Sequence, residues 1–263
     1  MNTILICGNH HRNLYMIKEL QKIPSVKIKK IFIFKREEIN PTPPANLNED
    51  LKKLWKIHFN KREKAEEKLK LNLEVYEKQI IKINSLEEIR KLDKADICFV
   101  SGIPKVEKKL LKILPEYTIN FHLGLLPFYK GMITGFWPFY LLQPTFFGIT
   151  FHVINENLDE GEIIHQKTPQ LSKGDGMHEV ITKGIISGMA DLSKIITFVQ
   201  KRLDSKIKPQ FDKKLKLKGK FYKKSDWKPE MLKLIYEKYN DKIVDFYLDG
   251  KIKCQKPKLI KIK

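Results

Sequence analysis

With 263 residues, 42% of them hydrophobic and 10% aromatic, the chain has the length and composition of a globular protein with a sizeable core, which excludes a disordered chain. Its long apolar runs, such as Ile31-Phe32-Ile33-Phe34, are strand-length, which excludes a helix of the roughly 20 apolar residues that cross a membrane. The formal net charge of +20 is uneven: residues 201–263 hold 21 Lys/Arg against 8 Asp/Glu (+13), and residues 1–200 hold 30 against 23 (+7).

Two readings of that basic end stay open. It is either the solvated face of a lysine-rich chain or a surface for a polyanion such as a nucleic acid. The three cysteines, Cys7, Cys98 and Cys254, are odd in number and far apart, which points to a reducing compartment and free thiols. No Cys/His pair has zinc-ligand spacing, so no metal is expected. The chain enters a strand pattern at once, with no basic region before its first apolar run. No signal peptide is expected, and the expected location is cytoplasmic.

Thr3–Cys7 reads as a buried strand ended by Gly8, followed by a helix with Leu14, Ile17 and Leu20 on one face. Ile28–Phe34 is a second strand. Asn40–Pro44 is a loop, because its prolines lack amide donors. Leu51–Glu77 reads as a charged helix and Gln79–Ile83 as a strand. Ser85-Leu86-Glu87-Glu88 has the form of a capping box. Asp96–Ser101 is a buried strand ended by Gly102, Val106–Leu114 a short helix, and Tyr117–Phe121 the next strand. Leu123–Thr134 reads as a loop, Gly148–Ile154 and Gly161–Gln166 as strands joined by a tight turn at Leu158–Gly161. A long helix is expected from about Gly176 to Leu203, capped by Asp175, with Val180, Ile181, Ile185, Met189, Leu192, Ile196 and Val199 as its apolar stripe. Lys206–Lys218 looks like a linker or edge structure, and Pro229–Tyr239 like a small helix capped by Asp226. Strands alternating with helices predict an α/β fold with a mostly parallel, Rossmann-like sheet, here over residues 1–203, with a small Lys-rich C-terminal extension over 204–263.

In such sheets ligands sit beyond the carboxyl ends of the strands. Asn120 and His122 lie two apart at a strand end and so face one side. A carboxamide can donate to an oxyanion, and an imidazole titrates near neutrality. Asp159, on the turn between two strands, can orient that imidazole. The absence of a Ser or Cys nucleophile among them suggests direct transfer without a covalent intermediate. Each residue taken singly is equally at home as structure: a satisfied polar group on a strand, or an Asp in a turn before Gly. His152 reads as structural. Gly8-Asn9-His10-His11 either is a plain turn or holds an acceptor phosphate near a helix N-terminus.

The stretch Asn120-Phe121-His122-Leu123-Gly124-Leu125-Leu126-Pro127-Phe128-Tyr129-Lys130-Gly131 resembles the signature of the folate-dependent formyltransferases, an Asn-x-His strand end followed by a Leu-Leu-Pro-x-x-Arg-Gly loop. Gly148-Ile149-Thr150-Phe151-His152 and the Asp159-Glu160-Gly161 turn resemble its second half. Gly124 stands where the family usually has Ser, and Lys130 where it usually has Arg. The resemblance implies transfer of a formyl group from 10-formyltetrahydrofolate to a primary amine, with Asn120, His122 and Asp159 as the catalytic triad. It implies that the pterin meets backbone around Ser101, Gly102 and Ile103 and around Glu160 and Gly161. Gly8, Asn9, His10 and Lys130 are the acceptor-side candidates. For the acceptor, a nucleotide-linked amino sugar suits the short C-terminal part, and methionyl-tRNA suits its basic charge. A non-enzymatic reading, a nucleic-acid-binding protein on a formyltransferase scaffold, stands against an intact triad and no base-stacking RNA motif.

Overall fold

A computed structural model describes residues 1–36, 38–210 and 219–262. Its strands are β1 (Asn2–Gly8), β2 (Lys27–Phe34), β3 (Ile80–Ile83), β4 (Ile97–Ser101), β5 (Thr118–His122), β6 (Tyr129–Gly131), β7 (Ile149–Val153), β8 (Ile163–Lys167) and β9 (Lys220–Tyr222). Its α-helices are α1 (His11–Gln21), α2 (Glu49–Glu66), α3 (Lys108–Leu111), α4 (Trp137–Tyr140), α5 (Met177–Met189), α6 (Leu192–Asp204) and α7 (Ile243–Leu248).

Seven strands make one sheet in the order β3-β2-β1-β4-β5-β7-β8. The first five are parallel, and β7 and β8 run antiparallel to their neighbours. The strands are apolar almost throughout because both faces are covered. Alternate residues split between two clusters: Leu5, Cys7, Phe99, Ile119 and Phe121 face the larger helical layer, while Ile4, Ile6, Cys98 and Val100 face a smaller one containing Val106 and Leu110. This alternation places Thr118, Asn120 and His122 on the face of the smaller cluster, with the polar pair at the carboxyl end of β5. Among the described residues no helix is long and apolar enough to cross a membrane.

Several elements differ from their sequence-based expectation. The charged helix ends at Glu66 and continues only as single 3-10 turns at Glu67–Leu69 and Glu74–Tyr76. The capping box at Ser85 is formed, but it caps one 3-10 turn, Leu86–Glu88. The long helix is two helices broken around Asp191, whose carboxylate takes bonds from His165, Lys167 and Lys194. The expected stripe runs buried across the break, from Val180 to Val199. Asp175 does not cap α5. Its carboxylate accepts from Ser172 N and pairs with Lys183, and the amide of Met177 donates to Asp241 Oδ1 at 3.0 Å, a cap supplied from 64 residues away. Asp226 accepts from Lys223 N upstream of its own position, and residues after Pro229 form a 3-10 turn and a π-helix, Leu234–Lys238. Of Lys206–Lys218, residues 211–218 lie outside the described residues.

The C-terminal residues pack into the main core rather than beside it. Tyr222, Leu232, Ile235, Tyr236, Ile243, Val244 and Ile252 are buried in the same continuous cluster as β1, α1, α5 and α6. The last described residues run along the edge strand β8, where Gln166 N donates to Ile260 O at 2.7 Å.

Candidate active site

The site is built where β5 meets β7. Antiparallel register sets Asn120 opposite His152 and His122 opposite Thr150, so all four project to one face. Asn120 Nδ2 donates to His152 Nε2 at 3.0 Å, and His152 Nδ1 donates to Val153 O at 3.1 Å. This pattern leaves the second amide hydrogen of Asn120 for another acceptor. Asp159 Oδ1 lies 3.7 Å from His122 Nδ1 and 3.5 Å from His152 Nε2, so one carboxylate oxygen reaches both rings. The other oxygen accepts from Gly131 N at 2.7 Å. Asp159 has φ +56°, a left-handed conformation unusual for a residue with a side chain, and it is held there by these contacts.

His122 Nε2 donates to Tyr129 O at 2.9 Å, which fixes the tautomer and leaves Nδ1 as the nitrogen that faces Asp159. Burial pushes the His122 pKa below the ordinary imidazole value, and the Asp159 carboxylate works against that push. For Asp159 burial acts to raise the pKa, but His122, His152 and the Gly131 amide together outweigh it and hold the carboxyl well below the usual range. The site therefore carries a fixed negative charge between two imidazoles.

Thr150 and Gln166 lock the loop after β5. Thr150 Oγ1 donates to Gly124 O at 2.7 Å and accepts from Leu126 N at 3.1 Å, and Gln166 Nε2 donates to Leu126 O at 2.6 Å. Gly124 is confined: a Cβ there would stand 2.9 Å from Thr134 Cβ and 3.0 Å from His122 Nε2.

A solvent-open cleft reaches Asn120, His152 and Asp159 between apolar walls that include Val100, Ile103, Val106 and Ile154. Of the cofactor-side candidates, Ile103 lines this cleft. Ser101 is buried and turned inward, donating to Asn13 Oδ1 and Phe121 O, so it underlies the site and does not face it. Gly102 adopts φ +62° above the Asn13 amide, and its carbonyl accepts from Arg36 Nη1. Glu160 pairs with Lys130 Nζ at 2.9 Å, and Gly161 lies so close under Val153 O that no side chain fits. Gly8, Asn9 and His10 stand together at the end of β1, where Asn9 Oδ1 accepts from Arg36 N. Lys130 is apart from them, on β6 against Glu160.

Two elements hold the candidate residues in ways that the sequence pattern does not display. His152, expected to be structural, lines the cleft and bonds Asn120; its place in the Gly-x-Thr-x-His stretch is the available signal. The strand β6, inside the stretch Leu123–Thr134 expected to be loop, supplies the Tyr129 and Gly131 groups that hold His122 and Asp159; three residues carry no periodicity that would reveal it. A thiol nucleophile is not available here, since burial pushes Cys7 up to about 12 and raises Cys98 as well. Among the described residues no group of three His, Cys, Asp or Glu is placed to hold a metal ion.

The sequence model of the formyl transferase family matches residues 52–187, just over half of the chain. The chain belongs to the formyl transferase family. It is 31% identical over 156 residues to a methionyl-tRNA formyltransferase of Fusobacterium nucleatum, a match covering 49% of this chain and 47% of that protein. The chain thus spans about half the length of the curated relatives it matches. Among solved structures, the N-formyltransferase of Helicobacter canadensis, in complex with folinic acid and dTDP-3-aminofucose, is similar with a TM-score of 0.54 and 18% identity, over 87% of this chain and 73% of that one. A formyltransferase of Anoxybacillus kamchatkensis, in complex with a UDP-linked formamido sugar and tetrahydrofolate, is similar with a TM-score of 0.51 and 18% identity, over 92% and 95% of the two chains. These similarities show the formyltransferase fold.

Proposed function

We propose that this member of the formyl transferase family moves the formyl group of 10-formyltetrahydrofolate onto the primary amine of a nucleotide-linked sugar. The observation that carries the reading is the Asn120–His152–Asp159–His122 cluster at the end of an apolar-walled cleft. Val100, Ile103, Val106 and Ile154 suit a flat heteroaromatic ring, as a pterin is, with the formyl carbon reaching the polar end. The acceptor nitrogen attacks that carbon and forms the new C–N bond. The free N–H of Asn120 steadies the oxyanion. The amine proton passes to His122 Nδ1 beside the Asp159 carboxylate, directly or through one water. The bond from carbon to the folate nitrogen then breaks, and that nitrogen takes up a proton as tetrahydrofolate departs.

The nucleotide-sugar acceptor draws support from two solved neighbours that hold nucleotide-linked sugars, one of which matches nearly the whole length of both chains. A second reading, formylation of methionyl-tRNA, draws support from the curated relatives and from the +13 charge of residues 201–263. The test is a formyl-transfer assay with 10-formyltetrahydrofolate and, separately, nucleotide-linked amino sugars and methionyl-tRNA, with His122→Ala as control. Turnover with a sugar nucleotide that disappears in the control supports the proposal. Turnover with charged tRNA alone moves the acceptor to the second reading, and no turnover with any acceptor, together with no folate binding, overturns both.

A further inference from the structure

We propose that the C-terminal strand β9 is part of the catalytic centre and that Tyr222 is a positioning residue for the His122–Asp159 pair. The proposal rests on the reading of Asn120, His122 and Asp159 as catalytic. It lies outside the stretch matched by the family, which ends at residue 187.

The inference starts from what holds the pair. The carbonyl that fixes the His122 tautomer belongs to Tyr129, and the amide that anchors Asp159 belongs to Gly131. Between them, Lys130 pairs with Glu160, the neighbour of Asp159. All three residues form β6, a strand of three residues. A strand that short has no stability alone, and a two-stranded ribbon is marginal without packing on one face. The partner of β6 is β9, in parallel register: Tyr129 beside Lys220, Lys130 beside Phe221 and Gly131 beside Tyr222.

Tyr222 secures that ribbon in two ways. Its carbonyl accepts from Met132 N at 2.8 Å, closing the ladder just past Gly131. Its ring is buried, stacks on Trp137 with centroids 4.4 Å apart, and stacks on Tyr129 at 6.0 Å. Trp137 in turn donates its indole N–H to Met132 O, so the same loop is held from both sides. Gly131 has φ +91°, and a side chain there would overlap Tyr222 O, so the close approach of the two strands depends on glycine.

Asp159 needs this external hold because its own left-handed backbone conformation is unfavourable. Loosening the ribbon lets Gly131 N and Tyr129 O drift, and with them the carboxylate and the ring. Tyr222 does not line the cleft that reaches Asn120, so its loss acts on turnover and not on folate binding. Its hydroxyl makes no hydrogen bond among the described residues, so a phenylalanine should serve in its place.

The experiment compares the full chain with Tyr222→Ala, Tyr222→Leu and Tyr222→Phe. Formyl transfer from 10-formyltetrahydrofolate gives kcat and the folate KM, and NMR follows the imidazole titration of His122. The expected result is a kcat at least ten-fold lower in the Ala and Leu variants, a folate KM within about two-fold of the parent, and a His122 midpoint displaced from the parent's as its burial, its Tyr129 bond and its Asp159 contact change together. Tyr222→Phe should restore all three; the Leu variant keeps the test available where Ala fails to fold. A folded Leu or Ala variant with parental kcat and an unmoved His122 overturns the proposal, as does a loss that Phe does not restore. The NMR reading needs no turnover, so a failure of the formyl-transfer reading and a failure of this one are told apart.

Discussion

Replacing Asp159 with Asn alters one charge while keeping the shape. Asn tolerates the left-handed backbone better than most residues, and its amide oxygen can still accept from Gly131 N. What disappears is the negative charge 3.7 Å from His122 Nδ1. At an effective dielectric of about 20, two unit charges at that separation attract by about 4 kcal/mol, the ceiling on what Asp159 contributes to an imidazolium formed during transfer. Each 1.36 kcal/mol of barrier is about one decade in rate, so the ceiling is roughly three decades and the expected loss in kcat is about 10²–10³-fold. Folding should hardly suffer, because the substitution also removes the desolvation of a buried carboxylate. The assay pairs steady-state transfer with thermal unfolding and an NMR titration of His122. The His122 midpoint should fall further, since the carboxylate is what opposes burial. A folded Asp159→Asn protein with kcat within three-fold of the parent, or with His122 unmoved, refutes the electrostatic role.

Three more outcomes follow from particular contacts. His152→Ala removes the acceptor that orients Asn120; at about 1–3 kcal/mol for a lost buried partner, kcat should drop about ten-fold or more, and the double variant with Asn120→Ala should cost less than the sum of the two. Thr150→Val keeps the shape but orphans Leu126 N and Gly124 O; urea unfolding should show a loss of about 1–3 kcal/mol, with kcat reduced through the loop. Acid should destabilise the fold well above the carboxylate range. Burial first, then Arg62 and Arg12, push His58 down to about 3, and burial holds His178 far below its ordinary value too. The unfolded chain therefore binds more protons below about pH 6.5, and stability falls as pH falls through that window, by about 2 kcal/mol from His58 at pH 5 relative to pH 8, with His178 acting in the same direction. Urea midpoints at the two pH values measure the loss, and His58→Phe should remove about half of it; an unchanged difference would count against the buried-histidine account.

Much of the fold was legible because its strands are apolar runs with glycine or proline at their ends. Leu5, Cys7, Phe99, Val100 and Phe121 are buried where the runs predicted, and Asn120 and His122 sit at the carboxyl end of β5 as a parallel sheet requires. The Asn-x-His strand end and the Asp159 turn are local patterns, so the sequence displays them together with the family they resemble. The helix breaks were less legible. Asp191 interrupts the stripe from Val180 to Val199 because three partners on β8 and α6 claim its carboxylate, and Asp241 caps α5 from a distant segment.

By itself, then, the sequence determined the α/β architecture, the strand ends that carry the polar residues, and the family signature around residues 120–131 and 148–161. These rest on periodicity and on turn residues, which act over a few positions. The tertiary structure alone shows that Asp159 reaches two imidazoles, that His152 bonds Asn120, and that β6 pairs with β9 beside Tyr222. Apart from the contact of His152 with Asp159, those relations join residues more than 30 positions apart. They arise from strand register and close backbone approach, and no local pattern of residues encodes which distant carbonyl or amide will arrive to meet a side chain.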